Sequence, residues 1–352
     1  MNKTLYDLNK TLFGIIIYRK YMKNYFYLIG LLLGGVLASC GTADVLTIDQ
    51  LRPAEMSFPV DLRQVGVVNN MKNRPNAPTD QLILGLVQGE NVAATEAIAG
   101  ALADSKFFDQ VVICDSALQS EENVGLPDPI LSADEVRSLS TQLGVDMLVS
   151  LEDLWVETSK QQVRYPGWDV PLSVLKTHVS PVVRLYLPSR TQPLHTIALT
   201  DSIYWDMEIP LTEKMVLEEA TRLAATKVAD YLTPSWKQVE RVYFYGGCVE
   251  MRDAAVYLRE GSWQEAQDLW KELFHRRRKG TTKARAAYNI ALSYEMLGDI
   301  DQAIKWVSES QKYVSPKSNE EKIVKYYSEA LANRIREVGS LKTQMHRFND
   351  NF

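Results

Sequence analysis

Two stretches in the last third of the chain repeat one pattern, with Gly298 standing 37 residues after its counterpart Gly261. They are residues 254–270 and 287–307. In each, apolar positions recur at helical spacing on both sides of the glycine, which predicts a helix, a sharp turn and a second helix. Gly261 and Gly298 stand where the first helix must stop in a conformation that other residues avoid. Ala266 and Ala303 are small, as a close helix crossing requires. Tyr257, Tyr294, Trp270 and Val307 are expected to fill the space between hairpins, with Trp263 and Trp306 as further structural positions. Neither hairpin can bury its apolar face alone, so the two must stack. A third helix is predicted over 320–338, with Ile323, Tyr326, Tyr327, Ala330 and Leu331 on one face. It lacks a matching partner and reads as a capping helix.

This pattern resembles the tetratricopeptide repeat, whose period is 34 residues. The second copy carries Ile290, Ala291, Tyr294, Gly298, Ala303 and Val307 at family positions, with Pro316 one place late. The first departs at Asp253, where a large apolar residue is usual. Its three extra residues fall in the basic stretch before Thr281. The resemblance implies a peptide or protein partner on the concave face. Asn289 occupies one place of the family's carboxylate clamp. Met251 and Ala255 stand where the first repeat would need Lys and Asn, so the clamp is absent.

The N-terminus reads as an address. Residues 25–38 run for fourteen positions without a charge, shorter than the roughly 20 needed to cross a bilayer. With Lys23 before it, the run has the form of a signal-peptide core. It ends in Leu37-Ala38-Ser39-Cys40-Gly41, which resembles the bacterial lipobox. The expectation is a signal region over 1–39, with Met22 as an alternative start, and a lipid-modified Cys40. The chain has Lys+Arg 39 against Asp+Glu 44, a net charge of −5. The leader holds five basic residues and one acidic. Removing it from the 352 residues leaves 313 with a net charge of −9. That balance argues against nucleic acid as a partner. It also assigns membrane attachment to the lipid rather than to a basic surface. The expected location is the cell envelope, anchored to the outer membrane and either periplasmic or surface-exposed.

Between these parts the sequence predicts an α/β domain over 61–235, after a linker at 41–60. Val65-Gly66-Val67-Val68 suits a buried strand. An Ala-rich helix follows over 91–104, then a strand at Val111-Val112-Ile113. Ser132 and Glu135 form a capping box opening a helix that Gly144 stops. Strands are expected at 146–151, 178–187 and 194–205, with Pro188–Pro193 as the last hairpin, and then a helix from Thr212 to about Leu232. The fold class is therefore α+β: an N-terminal α/β domain of two or three layers with a mixed sheet, then all-α tetratricopeptide-like hairpins over 236–340 and a flexible tail at 341–352.

Phe107-Phe108 with Val111-Val112, followed by Leu143-Gly144-Val145-Asp146-Met147-Leu148-Val149, is similar to small envelope domains. These belong to the curli-secretion, penicillin-binding-protein-activator and Tol-translocation groups. The whole chain resembles a family of uncharacterised exported lipoproteins of Gram-negative bacteria. That likeness rests on Cys40, Val65-Gly-Val-Val-Asn69, Gly261-Ser-Trp263-Gln-Glu-Ala266, Trp270, Asn289-Ile-Ala291, Glu295, Gly298 and Trp306. It implies no activity.

No catalytic constellation is evident, and neither a cofactor nor a metal is expected. The four histidines lack metal-ligand spacing, although His178 and His195 lie in candidate strands that a hairpin would bring together. Cys114 and Cys248 could pair in an oxidising compartment, but they fall in different predicted domains and read as two free thiols. The candidates for partner contact are Arg276, Arg277 and Arg278 in the run His275–Lys279, Tyr165 and Trp168 in a long connection, and Asn289 and Glu295 in the repeat. The reading is a non-enzymatic envelope scaffold for protein interaction. The alternative is a glycan- or peptidoglycan-associated binding or accessory protein.

Overall fold

The computed structural model describes residues 42–71, 80–114, 118, 130–164 and 170–348. Cys40, its leader, Tyr165 and Trp168 lie outside the described residues. The chain divides into two units, whose described parts are residues 54–234 and residues 42–53 with 235–348.

The first unit is built on a seven-stranded mixed sheet. Strand β2 (Gln64–Asn69) is the middle of its parallel part, with β4 (Gln110–Cys114) on one side and the start of β5 (Met147–Val163) on the other. The crossovers are α1 (Asn91–Asp104) and α2 (Ala133–Leu143). Val65, Val67 and Val68 are completely buried, as the uninterrupted β-branched run predicts for a strand covered on both faces. Gly66 is glycine because a Cβ there would meet Leu148, Val145 and Leu143 at 3.0–3.1 Å. The Ser132–Glu135 capping box forms in both directions, and Gly144 ends α2 at φ 67°.

The other half of the sheet is antiparallel. β5 is 17 residues long and pairs along its length with β6 (Leu172–Tyr186). β3 (Gly85–Gln88) lies against the far part of β5. The strand expected at 194–205 is two strands, β7 (His195–Ala198) and β8 (Asp201–Asp206), which pair with successive parts of β6. His178 and His195 consequently do not meet. His178 lies 3.3 Å from the Ser202 hydroxyl, and His195 stacks on Tyr231 with 3.2 Å to its hydroxyl. Helix α3 (Glu213–Leu232), capped by Thr212, buries Val216, Ala220, Ala224, Val228 and Leu232.

The second unit corrects two boundaries. The stretch 41–60, read as a linker, contains β1 (Ala43–Arg52), which pairs antiparallel over its whole length with β9 (Ser235–Phe244). The helical unit therefore includes a two-stranded ribbon. The tail at 341–352 is also structured in part. α8 runs from Asn319 to Met345, a turn follows at His346–Phe348, and Leu341, Gln344 and Arg347 are buried.

The repeat takes the expected form: α4 (Val249–Arg259) and α5 (Trp263–Arg276), then α6 (Thr281–Met296) and α7 (Ile300–Gln311). The two glycine turns are equivalent at the level of single hydrogen bonds. Ser262 N–H donates to Tyr257 C=O and Asp299 N–H to Tyr294 C=O, both at 2.9 Å. Gly261 N–H reaches Leu258 C=O and Gly298 N–H reaches Glu295 C=O, both at 3.1 Å. The glycines hold φ 79° and 86°. Ala266, Ala303, Trp270 and Val307 are completely buried, and Tyr294 is half-buried. Tyr257 differs from its expected place, since 40% of it is exposed. Added Cβ atoms at Gly261 and Gly298 would meet nothing within 4 Å, so their requirement is purely conformational. Gly298→Ala is expected to destabilise the unit by about 1–2 kcal/mol, read from the midpoint of denaturant unfolding. An unchanged midpoint would mean that the turn relaxes.

Candidate contact surface of the helical unit

Asn289 and Glu295 are not presented as contacts. Asn289 is completely buried on α6. Its Oδ1 accepts from the Phe244 N–H at 3.0 Å and its Nδ2 donates to the Phe244 C=O at 2.6 Å. Both polar ends of the amide are thus spent on the end of β9. Glu295 accepts from Arg241 Nη2 at 2.7 Å and Nε at 3.0 Å, and from the Tyr327 hydroxyl at 2.8 Å. The two charged side chains are 9% and 5% exposed. Burial opposes the charge on Arg241, but the Glu295 hydrogen bonds and charge override it and hold the guanidinium above its usual range. Burial pushes the Tyr288 and Tyr327 hydroxyls up. A groove of about 290 Å³ opens beside this pair, lined by Arg52, Glu240, Tyr326, Glu329, Asn333 and Glu337 among others.

The basic run stands apart from this interior. Arg276, in the last turn of α5, pairs with Glu250 on α4 and lies 3.9 Å from Glu272 on its own helix. Glu250 has a pKa lowered to about 2, through the backbone N–H at the start of α4, then Cys248, then Arg276. Arg277, Arg278 and Lys279 are exposed. Beside them, Lys283 lies 4.2 Å from the centre of the Phe274 ring and 4.9 Å from that of Tyr313. Phe274 meets Trp306 edge-on at 5.1 Å and Tyr313 at 5.9 Å. Sequence reading found the arginines and missed this aromatic wall. Trp306 stands at a repeat position, but Phe274 comes from another helix and Tyr313 from just past the end of α7, so no local spacing brings the three together.

Cys114, at the end of β4, and Cys248, at the N-terminus of α4, are both half-buried thiols. Burial raises the Cys248 pKa, which makes it a poor nucleophile. Among the described residues, no group of three His, Cys, Asp or Glu is placed to hold a metal ion. Among the same residues, no helix is long and apolar enough to cross a membrane.

Residues 62–244 match the family described as Domain of unknown function (DUF8603). The chain belongs to this family. The DUF8603 match spans the whole sheet unit after its first residues and ends at the last residue of β9. Residues 252–333 match a second family, Domain of unknown function (DUF6340), which covers the hairpins and part of α8. No curated protein matches the sequence. The chain is similar to two PelC dodecamer structures from Paraburkholderia phytofirmans. These are 14% and 13% identical, cover 53% and 55% of this chain and 98% and 99% of theirs, and have TM-scores of 0.28 and 0.27. It is also similar to the hypothetical protein CT253 from Chlamydia trachomatis, at 13% identity over 48% of this chain and 98% of that one, with a TM-score of 0.28.

Proposed function

We propose that this DUF8603 protein is a lipid-anchored envelope protein of a Gram-negative bacterium, held at the outer membrane through Cys40 and acting as a non-enzymatic scaffold for protein contact. The observation that carries the scaffold reading is the pair of helical hairpins with matching glycine turns. Stacked hairpins of this tetratricopeptide-like form give a rigid, extended surface whose side chains are free to vary, which suits recognition of another chain. Their inner positions at Asn289 and Glu295 are committed to the ribbon, so contact falls to outward residues such as the basic run. The anchor reading rests on Leu37-Ala38-Ser39-Cys40, where small residues admit the chain to a processing peptidase and the thiol accepts the lipid.

Two measurements test this. Metabolic labelling with a palmitate analogue is expected to mark the wild-type protein and not Cys40→Ala, and equal labelling would remove the anchor. A pull-down from solubilised membranes is expected to recover a stoichiometric protein partner. Retention on purified cell wall or polysaccharide without such a partner would replace the scaffold with a glycan-associated binding role.

A further inference from the structure

We infer that the corner between α5 and α6 docks an acidic peptide segment of a protein partner. This deepens the scaffold reading and rests on it. The three consecutive arginines have different fates. Arg276 takes the nearby carboxylates of Glu250 and Glu272. Arg277, Arg278 and Lys279 then follow in exposed positions; the Arg277 N–H caps α5 by donating to the Leu273 C=O at 3.1 Å, while none of the three side chains pairs with a carboxylate among the described residues. Arg277 is extended, at φ −89° and ψ 129°, and the chain bends at Lys279 and Gly280, so the tract leaves the helix as a short exposed loop. Lys283 is held over the Phe274 and Tyr313 rings and forms no ion pair within 4 Å among the described residues, though its charge helps to lower the Glu309 pKa. The acid nearest on α7, Glu309, is engaged by Lys312 and by the Tyr313 hydroxyl. The first turn of α6 has no acidic residue, so the positive end of that helix adds to the same field.

The corner is thus a local surplus of positive charge on a chain whose net charge is −5. Such a local exception steers an anionic partner to one place. Arginine suits carboxylates because its planar fork presents paired N–H donors. Two arginines and a lysine on one exposed loop match several carboxylates on a peptide. Trp306 and Tyr313, partly exposed where they pack on the buried Phe274, offer apolar contact that a bare phosphate cannot use. Together these favour a peptide alternating acidic and apolar residues over a lipid headgroup.

The test uses the full chain in detergent and a labelled peptide of about twelve residues alternating Glu and Leu, with binding read by fluorescence anisotropy. Affinity is expected to fall as salt rises, since the attraction is between solvated charges. The triple variant Arg277→Ala, Arg278→Ala, Lys279→Ala is expected to bind at least about tenfold more weakly, a change of about 1.4 kcal/mol. A control triple, Lys305→Ala, Lys322→Ala, Lys325→Ala, removes the same charge from exposed positions on α7 and α8 and is expected to bind nearly as wild type. Equal losses in both triples, no binding by wild type, or equal binding of a Lys–Leu peptide would overturn the proposal. So would co-flotation of Cys40→Ala with phosphatidylglycerol vesicles that depends on the three residues, without peptide binding. Should the triple variant still recover the membrane partner in the pull-down, the corner fails while the scaffold reading stands.

Discussion

Arg241→Leu is expected to destabilise the helical unit by about 3–5 kcal/mol, the largest single effect in this part of the chain. Arg241 projects from β9 and fixes Glu295 of α6 through Nε and Nη2, while Tyr327 of α8 donates its hydroxyl to the same carboxylate. Three elements distant in sequence therefore meet on one buried charge. Removing the guanidinium leaves Glu295, 5% exposed, with a single neutral donor and little water to replace what is lost. Glu295→Leu should do similar damage from the other side. The double variant should recover most of the loss, because apolar side chains of like volume can replace a buried pair at little net cost. Denaturant unfolding combined with hydrogen exchange of β9 and α6 checks this. A single-variant loss below about 1 kcal/mol, the range of exposed pairs, would show that the pair is solvated.

Glu152→Ala should have a comparable effect in the sheet unit, about 3 kcal/mol, reduced somewhat because the Arg184 side chain is 17% exposed. The pairing of β5 with β6 shifts register between Leu151 and Asp153, and Glu152 is the extra residue. Its Oε2 accepts from Asn70 Nδ2 at 2.8 Å and from Arg184 Nη1 at 2.9 Å, while its side chain is 2% exposed. The carboxylate thus ties β2, β5 and β6 together where the parallel half of the sheet gives way to the antiparallel half. Amide exchange in β5 and β6 should rise near the bulge, with α4 to α7 unaffected. Glu152→Gln keeps the shape and one acceptor and should lose less. Exchange confined to other strands would mean that the bulge is held by the backbone alone.

These two clusters mark where sequence reading stopped. The capping box at Ser132, the glycine stops at 144, 261 and 298, and the buried run at Val65–Val68 all rest on interactions within a few residues. They were legible for that reason. Glu152 and Arg241 look like ordinary exposed charges in sequence, because their partners lie 32 and 54 residues away. The same holds for the contact surface. The run Arg276–Arg278 was visible, but the division between a spent Arg276 and an unpaired Arg277 and Arg278 depends on Glu250 from another helix. Asn289 was visible as a polar residue on a repeat helix, yet only the position of Phe244 reveals that its amide is fully used.

The ribbon shows the limit most plainly. β1 and β9 interleave charged and polar residues with apolar ones in no strict alternation, as in Asp44-Val45-Leu46-Thr47 and Lys237-Gln238-Val239-Glu240. Each taken alone is a plausible connector, and the stretch that holds β1 reads as a linker in sequence. They become strands by pairing with each other across more than half of the chain, Ala43 against Phe244 and Arg52 against Ser235. The sequence by itself determined the α+β class, the helices with their caps, the parallel core strands and the repeated hairpins, since local hydrogen bonds and apolar periodicity act over a few residues. Only the tertiary structure decided that the chain's first described strand belongs with its last third, and which charges are buried and which remain for a partner. Those outcomes depend on which distant groups come within bonding distance, and no short window of sequence contains them.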